Sequence, residues 1–85
     1  MPSLELKNFT INKLKDKNQN PYYLIKDNET EKVYFCFSKS LKEGWGELEQ
    51  NHQTLKNVEI EYLEKERGNQ VVSLINSDNL EQFFI

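Results

Sequence analysis

The chain is poor in the residues that build disulfides, metal centres and phosphate-binding loops. Among its 85 residues it has one cysteine, one histidine, three glycines and two prolines. A single cysteine, Cys36, cannot form an internal disulfide, and one cysteine with one histidine is too few for a zinc site. No glycine-rich loop with the spacing that cradles phosphate is present. We therefore expect neither a bound metal nor a cofactor.

Long apolar runs are missing as well. No stretch approaches the roughly 20 apolar residues that a membrane-spanning helix requires. The first five residues carry neither the basic stretch nor the apolar run of a secretory signal. Together with the lone cysteine, these features favour a cytoplasmic protein that makes no contact with membranes.

Residue types suited to catalysis occur, but not in catalytic patterns. Cys36 lies in the middle of an apolar segment, without neighbours in sequence that would activate its thiol. Glu59 and Glu61 alternate with apolar residues, which is typical of the solvated side of a strand. We expect no enzymatic activity.

Aromatic residues and an uneven charge distribution are what the chain does have. Phe, Tyr and Trp make up 12% of the residues, and rings suit the half-buried surface of a sheet. The formal net charge is −3, but residues 1–42 carry +3 and residues 43–85 carry −6. The N-terminal half is thus predicted to offer a locally positive face, unless its lysines simply decorate solvated strands.

The apolar pattern predicts five strands. The first runs from about Leu4 to Lys15, and its apolar residues change parity inside it, which indicates a bulge or bend near Lys7 and Asn8. The other four are predicted around residues 22–27, 33–37, 58–62 and 70–75. Between the third and the fourth, residues 39–53 indicate an irregular, partly helical connection. We expect one all-β domain over residues 1–76 and a tail over residues 77–85.

Two segments carry a resemblance to a known family. Residues 21–37 (PYYLIKD, a polar turn, VYFCF) resemble the second and third strands of OB-fold nucleic-acid-binding domains, a class that includes single-stranded-DNA-binding proteins. Residues 64–72 (EKERGNQVV) resemble the hairpin that joins their last two strands. The order of five strands, with helical material only between the third and fourth, is also that of the OB-fold. The resemblance implies a five-stranded barrel.

Strand parity assigns side chains to the two sides of this barrel. On the second strand, Tyr23 and Ile25 are predicted to face inward, and Tyr22 and Lys26 outward. On the third strand, we expect the more apolar set to face inward and the mixed set to face outward. The inward set is Val33, Phe35 and Phe37, and the outward set is Tyr34, Cys36 and Ser38.

The outer face of the second and third strands and the loops beside it bind nucleic acid in OB domains. The resemblance implies that Tyr22, Tyr34 and Lys26 contact bases and phosphates. The remaining candidates are cations expected to hold the sugar–phosphate backbone, and a tryptophan that either stacks on a base or caps the core: Lys13, Lys15, Lys17, Arg67 and Trp45.

These features predict sequence-tolerant binding of single-stranded nucleic acid, with DNA favoured over RNA. An OB module that binds another protein, or that oligomerises without nucleic acid, is the alternative. Loosely, the tail resembles the acidic tails with a hydrophobic end through which single-stranded-DNA-binding proteins recruit partners. Its end, Phe83, Phe84 and Ile85, is therefore expected either to bind a protein partner or to fold back over the barrel.

Overall fold

A computed structural model describes residues 2–77, which form one mixed sheet of six strands and one helix. The strands are β1 (Ser3–Leu6), β2 (Phe9–Lys15), β3 (Pro21–Asp27), β4 (Val33–Phe37), β5 (Val58–Lys65) and β6 (Gly68–Asn76), and the helix is α1 (Trp45–Asn51). In the sheet they are ordered β1-β5-β6-β4-β3-β2. Neighbouring strands are antiparallel except β4 and β6, which are parallel. The predicted β-rich class is confirmed, and the tail with Phe83, Phe84 and Ile85 lies outside the described residues.

The count of five strands was wrong, because the predicted bend divides the first strand in two. β1 ends at Leu6 and β2 begins at Phe9. Leu4 and Leu6 have the opposite parity to Phe9 and Ile11, yet all four pack on the same core. A regular strand would turn one pair away from the core, and the two residues of the bend prevent this.

The prediction of a closed barrel was also wrong, because β1 and β2 occupy the two edges of the sheet and do not pair with each other. Only Lys7 and Asn8 separate these edge strands. Consecutive Cα atoms are about 3.8 Å apart, so the Cα atoms of Leu6 and Phe9, three residues apart, lie within about 11 Å of each other. The two edges of the sheet therefore come close at this corner. Beside it, the backbone N–H of Asn28 donates to the backbone carbonyl oxygen of Asn8 at 2.9 Å, one position beyond the paired residues Phe9 and Asp27.

The core lies on the inner side of the curled sheet and is capped by α1. Leu48 of the helix is fully buried, and Trp45 packs edge-on against the buried ring of Tyr23, with ring centroids 5.2 Å apart. The N-cap of the helix is Gly44, whose φ of +107° suits glycine. A Cβ there would lie 2.9 Å from Cβ of Leu74, so this approach also excludes a side chain.

The described part of the chain contains no helix that is long and apolar enough to cross a membrane. Within residues 2–77 there is also no group of three or more histidine, cysteine, aspartate or glutamate side chains placed to hold a metal ion.

Candidate functional site

The register between β3 and β4 decides which side chains reach the outer face. Residues directly opposite one another in an antiparallel pair point to the same side. Tyr23 lies opposite Cys36, and Ile25 lies opposite Tyr34. Since Tyr23 and Ile25 are fully buried, as predicted, Cys36 and Tyr34 must face inward with them.

The predicted outward orientation of Tyr34 was therefore wrong. Its side chain is 1% exposed and packs on Tyr62, with ring centroids 5.0 Å apart. The error arose because all five residues of β4 are apolar or aromatic, so alternation does not distinguish its two sides. The length of the turn between β3 and β4 sets the register instead. Phe35 and Phe37, predicted inside, are consequently on the outer face.

The outer face of β2, β3 and β4 consists of three rows of neighbouring side chains. Paired positions run across the strands, and each row has one member on each strand. The rows are Thr10–Lys26–Val33, Asn12–Leu24–Phe35 and Leu14–Tyr22–Phe37. No carboxylate occurs in any of them, so a polyanion meets no acidic side chain within this part of the sheet. We call this surface the aromatic face.

Three rings cluster at one end of the aromatic face. The centroid of Tyr22 lies 5.4 Å from that of Phe37 and 6.5 Å from that of Phe35. Phe35 and Phe37, two residues apart on β4, have nearly parallel planes with centroids 6.2 Å apart. Phe37 is 37% exposed and Leu14 39%, and with Tyr22 between them they form one exposed apolar patch. Flat apolar groups can therefore reach the rings from solvent.

A groove of about 620 Å³ opens beside these rings. Phe35 and Phe37 form one wall, and residues 65–70 at the tip of the β5–β6 hairpin form the other. The tip lies against β4 because β4 and β6 pair there, with Phe35 next to Gln70. Gly68 permits this approach: a Cβ at that position would lie 2.8 Å from Cε2 of Phe35.

Two cations line the hairpin wall, and a hydrogen bond fastens the hairpin to β4. Lys65 and Arg67 border the groove together with Glu66, and all three are exposed. The side-chain amide nitrogen of Asn69 donates to the backbone carbonyl oxygen of Val33 at 3.3 Å. This bond ties the hairpin to β4 and holds the Asn69 side chain in one orientation.

The predicted cations fall into two groups. Lys26 is exposed on the aromatic face, and Arg67 borders the groove. Lys13 and Lys15 alternate with Leu14 along β2, so they point away from the aromatic face. Lys17 is exposed in the loop between β2 and β3. The register thus places Lys26 and Arg67 on the same side of the sheet as the rings, and Lys13 and Lys15 on the other side.

Trp45 lies apart from the aromatic face. It is half-buried at the start of α1 and contacts Tyr23 from the core side. Of the two roles predicted for it, the contact supports that of a cap on the core.

Burial suppresses the chemistry of the inward side of β4. It raises the pKa of the Cys36 thiol to about 12. Burial likewise raises the pKa of the Tyr34 hydroxyl, assisted by the neighbouring Tyr62 and Asp27. Neither group is exposed or ionised at neutral pH, so neither can act on a ligand from solvent.

Sequence reasoning missed Phe35, Phe37 and Lys65 as candidate site residues. For the two phenylalanines, the signal was the length of the turn between β3 and β4. The inward-facing residues of β3 were predicted correctly. Once the paired residues that flank the turn are known, its length determines which residues of β4 face inward with them. For Lys65 the signal was its position beside Arg67 in the hairpin.

Taken together, these residues can hold flat apolar groups against rings and anionic groups beside the hairpin cations. The polar lining adds hydrogen-bond donors and acceptors at the edge of the groove. Comparison of the chain with protein-family models, with curated proteins and with solved structures found no match.

Proposed function

We propose that the protein binds single-stranded nucleic acid, DNA in preference to RNA, on the aromatic face and in the groove beside it. One observation carries the proposal: Tyr22, Phe35 and Phe37 cluster on a surface whose rows contain no carboxylate. That surface opens into a groove bordered by two cations, Lys65 and Arg67, and one carboxylate, Glu66. Rings and cations side by side match a ligand that alternates bases and phosphates.

Stacking supplies the main attraction in this arrangement. A base stacked on an aromatic side chain contributes about 1–3 kcal/mol, and it does so for any base because every base has a π face. Single strands expose those faces, whereas a duplex keeps them stacked inside. The aromatic face therefore favours single strands and tolerates many sequences.

The fold supports the same proposal, because its strand order is consistent with an OB-type barrel. Counting β1 and β2 as halves of one bent strand leaves five strands, with α1 between the third and the fourth. That arrangement is typical of the OB-fold, a partly open five-stranded barrel. In this interpretation the aromatic face is formed by the first three strands, and the hairpin tip joins the last two.

The proposal is tested by titrating a fluorescein-labelled 15-nucleotide dT strand at low salt and following its anisotropy. We expect saturable binding that weakens as salt is added, since phosphate contacts release counterions. The substitution Phe37→Leu keeps an apolar side chain but removes the ring. It should weaken binding about five- to tenfold. The matched control is Phe9→Leu, the same exchange at a ring that packs on the core from β2. It should leave the affinity within about twofold.

An anisotropy that stays flat at tens of micromolar protein would refute nucleic-acid binding. Equal losses in Phe37→Leu and Phe9→Leu would remove the aromatic face from the site. A matched RNA strand, rU in place of dT, tests the preference for DNA.

A second candidate, a protein-interaction surface, is favoured by the exposed apolar side chains of Leu14 and Phe37. A contiguous apolar surface of this kind commonly marks a protein contact, including contact with a second copy. Light scattering distinguishes the two functions. Self-association that Phe37→Leu abolishes, without any binding of dT, would favour the protein interface. Comparing the full chain with residues 1–77 tests whether the tail recruits a partner.

A further inference from the structure

Gln70 is a polar side chain on β6 that faces the groove. The next residue, Val71, is fully buried, so alternation along the strand directs Gln70 to the outer side of the sheet. The parallel register agrees, since Gln70 lies beside Phe35, and it also lines the groove. Asn69 pairs with the buried Tyr34 and so points to the other side. The amide that accompanies the rings is therefore that of Gln70.

The side-chain amide of Gln70 has no hydrogen-bond partner among residues 2–77. Gln70 is half-buried, and its neighbours across the sheet are apolar: Phe35 on β4 and Leu63 on β5. A ligand that filled the groove would strip water from this amide, and a polar group that loses water without gaining a partner destabilises the complex. Ligands that bring a donor and an acceptor to the amide avoid this loss.

We propose that Gln70 is a specificity-determining residue of the groove, whose side-chain amide forms hydrogen bonds with the Watson–Crick edge of a base that lies against Phe35. The inference rests on the proposed function and adds a chemical criterion to it. Rings alone accept any flat apolar group. The amide of Gln70 selects rings that carry a hydrogen-bond donor and an acceptor side by side, as the nucleobases do.

The same amide can serve different bases. Its oxygen accepts, its NH2 group donates, and the two lie side by side. Thymine presents an N–H donor next to a carbonyl acceptor, whereas cytosine presents an amino donor next to a ring-nitrogen acceptor, and single strands leave these edges open. No residue of the described part of the chain holds the amide of Gln70, so it can turn over to match either order. The contact thus requires a nucleobase without requiring a particular one.

The experiment compares three 15-nucleotide strands: dT, dC and a strand in which difluorotoluene replaces every thymine. The difluorotoluene ring has the shape of thymine and stacks, but it lacks the N–H donor and the carbonyl acceptors. Gln70→Met keeps the length of the side chain and removes its amide. This variant should bind the dT and dC strands about fivefold more weakly than wild type does, the effect expected for one net hydrogen bond. It should bind the difluorotoluene strand at least as tightly as wild type does.

Gln50→Met is the matched control, since Gln50 is exposed on α1 and lies outside the groove. It should bind all three strands as wild type does. A merely structural role of Gln70 would make Gln70→Met weaken all three strands equally, and that result overturns the inference. A loss confined to dT or to dC overturns it as well, because an amide that can turn over serves both.

The inference and the proposed function fail in different ways. If the wild-type protein binds neither the dT nor the dC strand, the proposed function fails. If wild type and Gln70→Met bind both strands equally well, the proposed function stands and the role of Gln70 is refuted. Thermal melting shows whether Gln70→Met is folded, and Gln70→Ala replaces it if it is not.

Discussion

Cys36 and Tyr34 show how completely the inner side of β4 is removed from water. Both side chains are 1% exposed or less, and burial raises the pKa of each. Burial also raises the pKa of the Tyr23 hydroxyl, and the nearby negative charge of Glu49 raises it further. In each case the protonated, neutral form is the one that fits the core.

The raised pKa of Cys36 predicts that the protein loses stability at alkaline pH. Above about pH 9 the unfolded chain releases the thiol proton, whereas the folded protein keeps it until about pH 12. The unfolded state then binds fewer protons, so the free energy of unfolding falls by about 1.4 kcal/mol per pH unit for this group. Urea unfolding between pH 8 and pH 10 measures the slope.

The control is Cys36→Ala. It should be less stable than wild type at pH 8 but should lack most of the slope between pH 8 and pH 10. The comparison ends at pH 10 because the tyrosines begin to contribute there. A slope that is the same in wild type and variant would contradict the assignment to Cys36. The same burial predicts that an aromatic disulfide reagent labels Cys36 only after unfolding.

At the scale of elements, the β5–β6 hairpin forms the groove because its tip can lie against β4. Gly68 makes this contact possible in two ways. Its φ of +129° lies in a region that L side chains rarely adopt, and its missing side chain leaves room for the ring of Phe35. The shape of the groove therefore depends on one glycine.

Gly68→Ala should lower the free energy of unfolding by about 1–2 kcal/mol, since the backbone is strained and Phe35 must move. It should also weaken binding of the dT strand, because the displaced ring changes the wall of the groove. Gly46→Ala is the control: a Cβ there has no atom within 4 Å, and alanine suits a helix better than glycine. This control should be at least as stable as wild type. Wild-type stability of Gly68→Ala would contradict the role of the glycine.

At the scale of the whole molecule, charge is divided between two walls of the curled sheet. The outward positions of β1 and β5 carry Glu5, Glu59 and Glu61, with Glu5 directly opposite Glu59. The aromatic face has Lys26 instead, and the hairpin tip adds Lys65 and Arg67 with Glu66 between them. A net charge of −3 is thus compatible with a polyanion that approaches from one side.

This division predicts which cations govern the salt dependence. Arg67→Gln removes one phosphate contact and should lower the slope of log affinity against log salt by about 0.7. Lys13→Gln removes the same charge from a side chain that points away from the aromatic face, and it should leave the slope unchanged. Titrations of the dT strand at four salt concentrations measure both. A larger effect at Lys13 would place the nucleic acid on the other side of the sheet.

Much of the fold could be predicted from the sequence, because the spacing of apolar residues along short segments indicates where the strands lie. The strand at Val33–Phe37 and the burial of Tyr23 and Ile25 agree with the predictions. The bend near Lys7 and Asn8 was also predicted, from the change of apolar parity. The predicted number of strands was wrong at the same bend. The change of parity among the apolar residues locates the bend, but it does not show whether the hydrogen-bonded pairing continues through it.

The site was less predictable, because it depends on contacts between segments that are far apart in the chain. The amide of Asn69 meets Val33 across 36 residues, and no local pattern encodes that bond. Phe35 and Phe37 reach the outer face only through the register of β3 with β4. Where a strand is apolar on both sides, its register decides which rings are exposed.

The sequence alone determined that this chain is a β-rich domain dense in aromatic residues, with one cysteine and more positive charge in its first half. These properties are local, since they depend on composition and on the spacing of neighbouring side chains. The tertiary structure decided which rings face solvent, which cations accompany them and that a groove exists. Those outcomes depend on pairing between strands, and pairing is a property of the folded sheet.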